Sequence, residues 1–121
     1  MKTQIYTSKA AAPVGPYSQA IKAGNHIYIS DQIGLTPEGN YPGNDVQSQA
    51  RQVLENIKMI MEEAGGKLSD VVKVTIFLTN MGDFAAVNEI YAEYFSESEP
   101  ARSAIEVSAM PKGALLGMEA V

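Results

Sequence analysis

The sequence predicts one domain over residues 1–121, an α/β (α+β) sandwich with a six-stranded mixed sheet and two helices on one face. Three observations predict it. Residues 71–79 alternate with period two, setting Val72, Val74, Ile76 and Leu78 against Lys73, Thr75 and Phe77. Two other stretches carry apolar residues at helical spacing. The order along the chain is strands, helix, strand, helix, strands, and at these lengths both helices fall on one side of a sheet.

Taken in order, Lys2 to Tyr6 is a short edge strand, and Ala11 to Pro16 is a loop by its proline and glycine content. Tyr17 to Ala23 and His26 to Ser30 read as paired strands joined by the two-residue turn Gly24-Asn25. In the second, Ile27 and Ile29 share a face opposite His26, Tyr28 and Ser30. A polar loop, Thr36 to Asn44, leads to a first helix capped by Asn44 or Asp45. Its core stripe is Val46, Ala50, Val53, Leu54, Ile57, Ile60, Met61 and Ala64, and Gly65-Gly66 ends it. After the 71–79 strand, Asp83 caps a second helix whose stripe is Phe84, Val87, Tyr91, Tyr94 and Phe95. Pro100 stands at the start of a fifth strand, where a proline is tolerated. Met110 to Gly113 turns the chain into a last strand, Ala114 to Val121.

In the fifth strand Ser103, Ile105 and Val107 alternate with Arg102, Ala104 and Glu106. Arg102 therefore projects from the face opposite Ile105 and Val107, which assigns it to the open side of the sheet. A guanidinium fixed on a strand is suited to grip a carboxylate through two parallel hydrogen bonds. The last strand is apolar on both faces, with Leu115, Glu119 and Val121 opposite Leu116, Met118 and Ala120. A lone two-layer domain has no use for that, so the open face is expected to be covered by other copies of the chain.

Composition excludes several functions. With no cysteine and one histidine, His26, the chain has no thiolate metal site and no disulfide framework. Nine basic residues against fourteen acidic ones leave a net charge of -5, and the basic ones are scattered, which disfavours nucleic acid as a partner. The first residues hold no apolar signal core, and no run approaches the roughly 18 residues that span a bilayer. A cytoplasmic protein without a membrane partner is expected.

Several separate motifs resemble the RidA/YjgF family of reactive-intermediate (imine) deaminases. They are Gly15-Pro16-Tyr17-Ser18-Gln19-Ala20, Ser30-Asp31-Gln32-Ile33-Gly34 and Lys73 to Leu78, then Phe84 to Tyr91, Pro100-Ala101-Arg102-Ser103, and Met110 to Ala114 with Met118-Glu119-Ala120. The resemblance runs from about Ala12 to the end. It implies a chorismate-mutase-like fold assembled as a homotrimer, with a cleft at each subunit interface and no metal or cofactor. It implies hydrolysis of enamines and imines such as 2-aminoacrylate and 2-iminobutyrate to 2-keto acids and ammonia. By the family pattern Arg102 holds the substrate carboxylate and Glu119 positions or activates the attacking water. Tyr17, Ser30 and Asn88 line the pocket, and the backbone near Ala104 and Gly113 meets the nitrogen end. The same family covers related chains that bind a small carboxylate in a regulatory role without full activity. Arg102 serves either reading, whereas Glu119 is needed mainly for catalysis.

Three positions depart from the pattern. Asp31 stands where the family usually has glycine, and places a carboxylate beside the pocket that is expected to weaken binding of anionic substrates or redirect substrate choice by repulsion. Ala104 replaces a frequent cysteine or threonine. Gly117 replaces a frequent glutamate two residues before Glu119.

Overall fold

A computed structural model describes all 121 residues. Six strands, β1 (Lys2–Ile5), β2 (Ala20–Ala23), β3 (His26–Ile33), β4 (Lys73–Leu78), β5 (Ala101–Glu106) and β6 (Leu116–Ala120), form one sheet in the order β1-β2-β3-β6-β4-β5. Only β4 and β5 run parallel. Two helices, α1 (Val46–Glu63) and α2 (Phe84–Phe95), pack on each other, and α1 lies against β3 and β6. The expected sandwich is the observed one.

The layer between helices and sheet is the core. Val53, Leu54, Ile57 and Ile60 of α1 meet Val74, Ile76 and Leu78 of β4 and Leu116 and Met118 of β6, all of them fully buried. Each such side chain contributes about 1.5–3 kcal/mol relative to staying in water. Truncating Ile57 to alanine would forfeit that and leave a cavity, at a cost of about 2–5 kcal/mol.

Local chemistry sets the ends of α1. Asp45 is in extended conformation and its carboxylate accepts from the Ser48 amide at 2.9 Å, which satisfies a free N–H of the first turn. At the other end Gly65 takes φ +89, a conformation that favours glycine, and the Gly66 amide donates to the Met61 carbonyl. Asp83 departs from expectation. The chain enters α2 through the short 3-10 turn Met81–Asp83, so Asp83 is already helical and its side chain caps nothing.

Two other boundaries shift. Tyr17 to Gln19 lie outside β2, and Gln19 is instead buried with all its amide chemistry used locally: it donates to the Thr7 and Ala11 carbonyls and accepts from the Thr7 amide. This pins the loop before β2. Val72 lies outside β4 and is 61% exposed, because its alternation with Val74 breaks where the strand begins. Tyr94 is only half-buried, its hydroxyl donating to Glu55 at 2.7 Å.

Two buried polar groups of α1 fix the end of β3 and the start of β6. Asn56 donates to the carbonyls of Leu35 (2.9 Å) and Ile33 (3.3 Å), and Gln49 accepts from the Leu115 amide at 3.0 Å. Between them Gly34 comes so close to α1 that a Cβ would stand 2.7 Å from the Gln49 carbonyl oxygen. Only glycine permits that approach.

The open face of the sheet carries Tyr28, Thr75, Phe77, Ser103, Ile105 and Glu119, by their register with one another and their exposure opposite the core residues.

Candidate active site

Arg102 is not on that open face. In the parallel β4–β5 ladder it pairs with Val74, and Ala104 pairs with Ile76, both core positions beneath the helices. The alternation read from the sequence holds, but the faces are reversed: Ile105 is the residue left 46% exposed on the open side. Small Ala104 fills the core side, and β5 is the sheet's edge, so the long Arg102 side chain can lie along α2 with its head toward solvent.

There the guanidinium is held on three sides. Its Nη1 donates to Asn88 Oδ1 at 2.6 Å, and its carbon sits 4.7 Å from the Tyr91 ring centre and 5.3 Å from that of Phe84. It makes no other hydrogen bond or ion pair within the chain, so donors remain for a carboxylate. A cavity of about 430 Å³ opens beside it, lined by Asn88, Tyr91, Phe95, Glu99 and Pro100. The Tyr91 hydroxyl is buried there without a partner, and burial raises its pKa although the Arg102 charge opposes the shift.

A second cluster lies on the open face. Tyr17, Ser30, Asp31, Pro111, Val14 and Glu119 line a cavity of about 380 Å³. Tyr17 is steadied by the Val14 amide, which donates to its oxygen at 3.2 Å, and Ser30 donates to the Ser18 carbonyl at 2.7 Å. The pairing of β3 with β6 passes from Ile29–Ala120 to Gln32–Met118, so Ser30 and Asp31 together face the single residue Glu119. That is a β-bulge, which re-aims side chains. Burial, and then the nearby Glu119, raise the Asp31 pKa from its ordinary 3.8 to about 6. Gly113, with φ +68, closes the short turn that begins at Pro111.

The chain thus brings Tyr17, Ser30 and Glu119 together, and separately Arg102 with Asn88. Glu119 pairs with Thr75 and Thr75 with Ser103, so Glu119 faces the side of the sheet away from Arg102 and two strands from it. Within one chain the two clusters cannot face one small ligand. Ala104 lines neither cavity, and packs against the core. No three His, Cys, Asp or Glu side chains are grouped to hold a metal ion, and no helix is long and apolar enough to cross a membrane. Sequence reasoning missed Tyr91 as a neighbour of Arg102; its position three residues after Asn88, on the same helical face, was the available signal.

The fold and these clusters define a small α/β-sandwich protein with an arginine held between an asparagine and two aromatic rings, and a separate carboxyl cluster. The chain belongs to the family described as endoribonuclease L-PSP, whose model matches residues 7–121, and which includes the RidA and RutC proteins. A RutC family protein of Pyrococcus horikoshii is 56% identical over all of this chain and 97% of its own length. The 2-iminobutanoate/2-iminopropanoate deaminase of Mus musculus is 46% identical, over 97% of this chain and 87% of its own. Among solved structures, Escherichia coli TdcF with bound serine superposes with a TM-score of 0.92 at 40% identity, covering 98% of this chain and 96% of that one.

Proposed function

We propose that this protein hydrolyses small 2-imino and 2-enamino acids, such as 2-iminobutyrate and 2-aminoacrylate, to 2-keto acids and ammonia. It does so in the cytoplasm, as a homotrimer with sites between subunits, and without metal or cofactor. The observation that carries this reading is the Arg102 cradle, in a chain 46% identical to a protein named as such a deaminase. The bound serine of TdcF supports a small amino-acid-like carboxylate as the ligand.

Asn88 occupies Nη1, so the remaining donors of Arg102 form the fork that takes the substrate carboxylate. A protonated imine is already electrophilic, and what is left to supply is orientation and a base for one water. Glu119 takes that proton, with Tyr17 and Ser30 as walls and the backbone near Ala104 and Gly113 meeting the nitrogen. The opposed faces of Arg102 and Glu119 support a site completed by the Arg102 edge of one copy and the Glu119 face of another.

The test is keto-acid release from 2-iminobutyrate generated in situ, with and without a chelator, alongside sedimentation. Chelator-resistant turnover by a trimer of 13.0-kDa chains is the expected result. A stable monomer that turns over would sink the interfacial site. A trimer that binds serine but hydrolyses no imine would make the protein a carboxylate-binding regulator.

A further inference from the structure

The turn Pro111–Gly113 forms one wall of the Glu119 cavity, and its backbone is strained. Pro111 lines that cavity together with Tyr17, Ser30 and Glu119. The next residue, Lys112, takes φ 55 and ψ 28, a left-handed conformation that crowds its Cβ against the following carbonyl oxygen. Glycine adopts it freely and asparagine more readily than lysine. Gly113 follows, also left-handed, with φ +68. A lysine persists in such a backbone only where the surrounding structure holds it there.

One bond closes the turn from within, the Ala114 amide donating to the Pro111 carbonyl at 3.1 Å. One side chain reaches it from outside: the Tyr41 hydroxyl donates to the Lys112 carbonyl at 2.9 Å, across 71 positions of sequence. The reach of Tyr41 is itself fixed. Its ring packs against the small cluster Ala11, Ile33, Leu35 and Ala114. The loop before it is closed by the Thr36 amide on the Asn40 carbonyl and the Gly39 amide on the Thr36 carbonyl, each at 2.8 Å. Ile33 and Leu35 are tied to α1 through Asn56, and Leu115, just past the turn, is tied to the same helix through Gln49. Only the Tyr41 grip acts on the strained residue. Burial raises the Tyr41 pKa above its ordinary 10, so the hydroxyl stays a donor near neutral pH.

We propose that Tyr41 is a positioning residue of this site. By holding the Lys112 carbonyl it fixes the left-handed turn, and with it the Pro111–Gly113 backbone, at the wall that receives the substrate nitrogen. The inference rests on the imine-hydrolase reading above, which gives the nitrogen end to the backbone near Gly113. A backbone set before the substrate arrives needs no rearrangement during the reaction. The effect therefore falls on kcat more than on KM, because the substrate carboxylate is gripped elsewhere, by Arg102.

The experiment is a double-variant cycle on the assembled protein with 2-iminobutyrate generated in situ: parent, Tyr41→Phe, Lys112→Asn and the combination. Phenylalanine keeps the ring packing and removes only the hydroxyl. Tyr41→Phe should lower kcat about 3- to 10-fold, the worth of one hydrogen bond, with KM little changed. Asparagine holds the left-handed backbone more easily, so in the Lys112→Asn background the same change should lower kcat by less than about 2-fold. The parent's kcat in Tyr41→Phe would overturn the role. An equal loss in both backgrounds would overturn it too, since it marks a general loosening of the fold. The backbone carbon shifts of Lys112 in NMR report the left-handed geometry independently of turnover. They should move toward averaged values in Tyr41→Phe, and the shifts of Asn at that position should stay put when the hydroxyl is removed. Unmoved Lys112 shifts in Tyr41→Phe overturn the clamp even in an active enzyme. An inactive parent whose Lys112 shifts do move defeats the imine reading and leaves the clamp standing.

Discussion

The two polar clusters of this chain are built on opposite principles. At the edge of the sheet, Arg102 is satisfied: an amide oxygen holds one nitrogen and two aromatic rings flank the charge. On the open face, Asp31 is frustrated: one oxygen is buried with no partner, and its charged neighbour has the same sign. A cation that keeps open donors beside a fixed one is ready to bind. A carboxyl that cannot comfortably ionise costs the fold stability once the pH rises above its pKa. The difference predicts that changes at the first cluster act chiefly on substrate capture, and changes at the second on proton chemistry and on the stability of the fold.

The largest effect is expected at Arg102. Removing one partner of a hydrogen-bonded charge pair costs about 2–5 kcal/mol, which is on the order of 30-fold or more in kcat/KM. Arg102→Ala should therefore be nearly inactive. Arg102→Lys keeps the charge but not the planar fork, and should be badly impaired. Steady-state assays on variants shown by sedimentation to remain assembled check both. Near-normal turnover by the lysine variant would mean that charge alone suffices.

Asn88 sharpens the same side of the comparison. Its oxygen accepts a charge-assisted hydrogen bond, a type worth about 1.5–3 kcal/mol. Asn88→Ala frees the guanidinium to rotate, and should cost roughly 10-fold or more, mostly in KM. Asn88→Asp retains an acceptor and adds a charge that competes with the substrate carboxylate, so it should bind substrate worse than Asn88→Ala. If both variants bind serine as tightly as the parent in calorimetry, Asn88 is a bystander.

The sequence made much of this legible. Period-two alternation located β4 and β5, helical spacing located α1 and α2, and Asp45 and Gly65 marked the ends of α1. What it concealed was which side of β5 is the inside. Ile105 is more hydrophobic than Ala104, so hydropathy pointed Ile105 inward, yet register with Val74 and Ile76 puts Ala104 and Arg102 there. An edge strand facing the flank of a helix has room for an alanine beside a long arginine. The Ile105 side chain joins Phe77 and Tyr28 on a face whose apolar character fits contact with other copies. The bulge at Ser30 and Asp31 was likewise hidden, because an extra residue in one strand is a property of pairing and leaves no local pattern. So was the close approach of the Asp31 carboxyl to Gly117, a contact between neighbouring strands.

The smallest effect separates the clusters by stability instead of rate. The Asp31 pKa is raised in the folded chain from 3.8 to about 6, so between those values the folded protein binds more protons than the unfolded one. Stability therefore falls as pH rises from about 4 to about 6, and the loss is complete above that window. The full shift would correspond to about 3 kcal/mol, but Asp31 is only half-buried, and screening by solvent reduces this to roughly 1 kcal/mol. Asp31→Asn removes the charge while keeping the shape, and should raise the melting temperature at neutral pH by about 3–5 °C with little gain near pH 4. Thermal unfolding of both proteins across that window checks the slope. Arg102→Lys should show no such pH-dependent gain, since the groups Arg102 touches, Asn88, Phe84 and Tyr91, carry no charge in that range, and Glu99 across the cavity forms no ion pair with it. If the difference between parent and Asp31→Asn is the same at both ends of the window, Asp31 titrates normally, and the acidic cluster is no more strained than the cationic one.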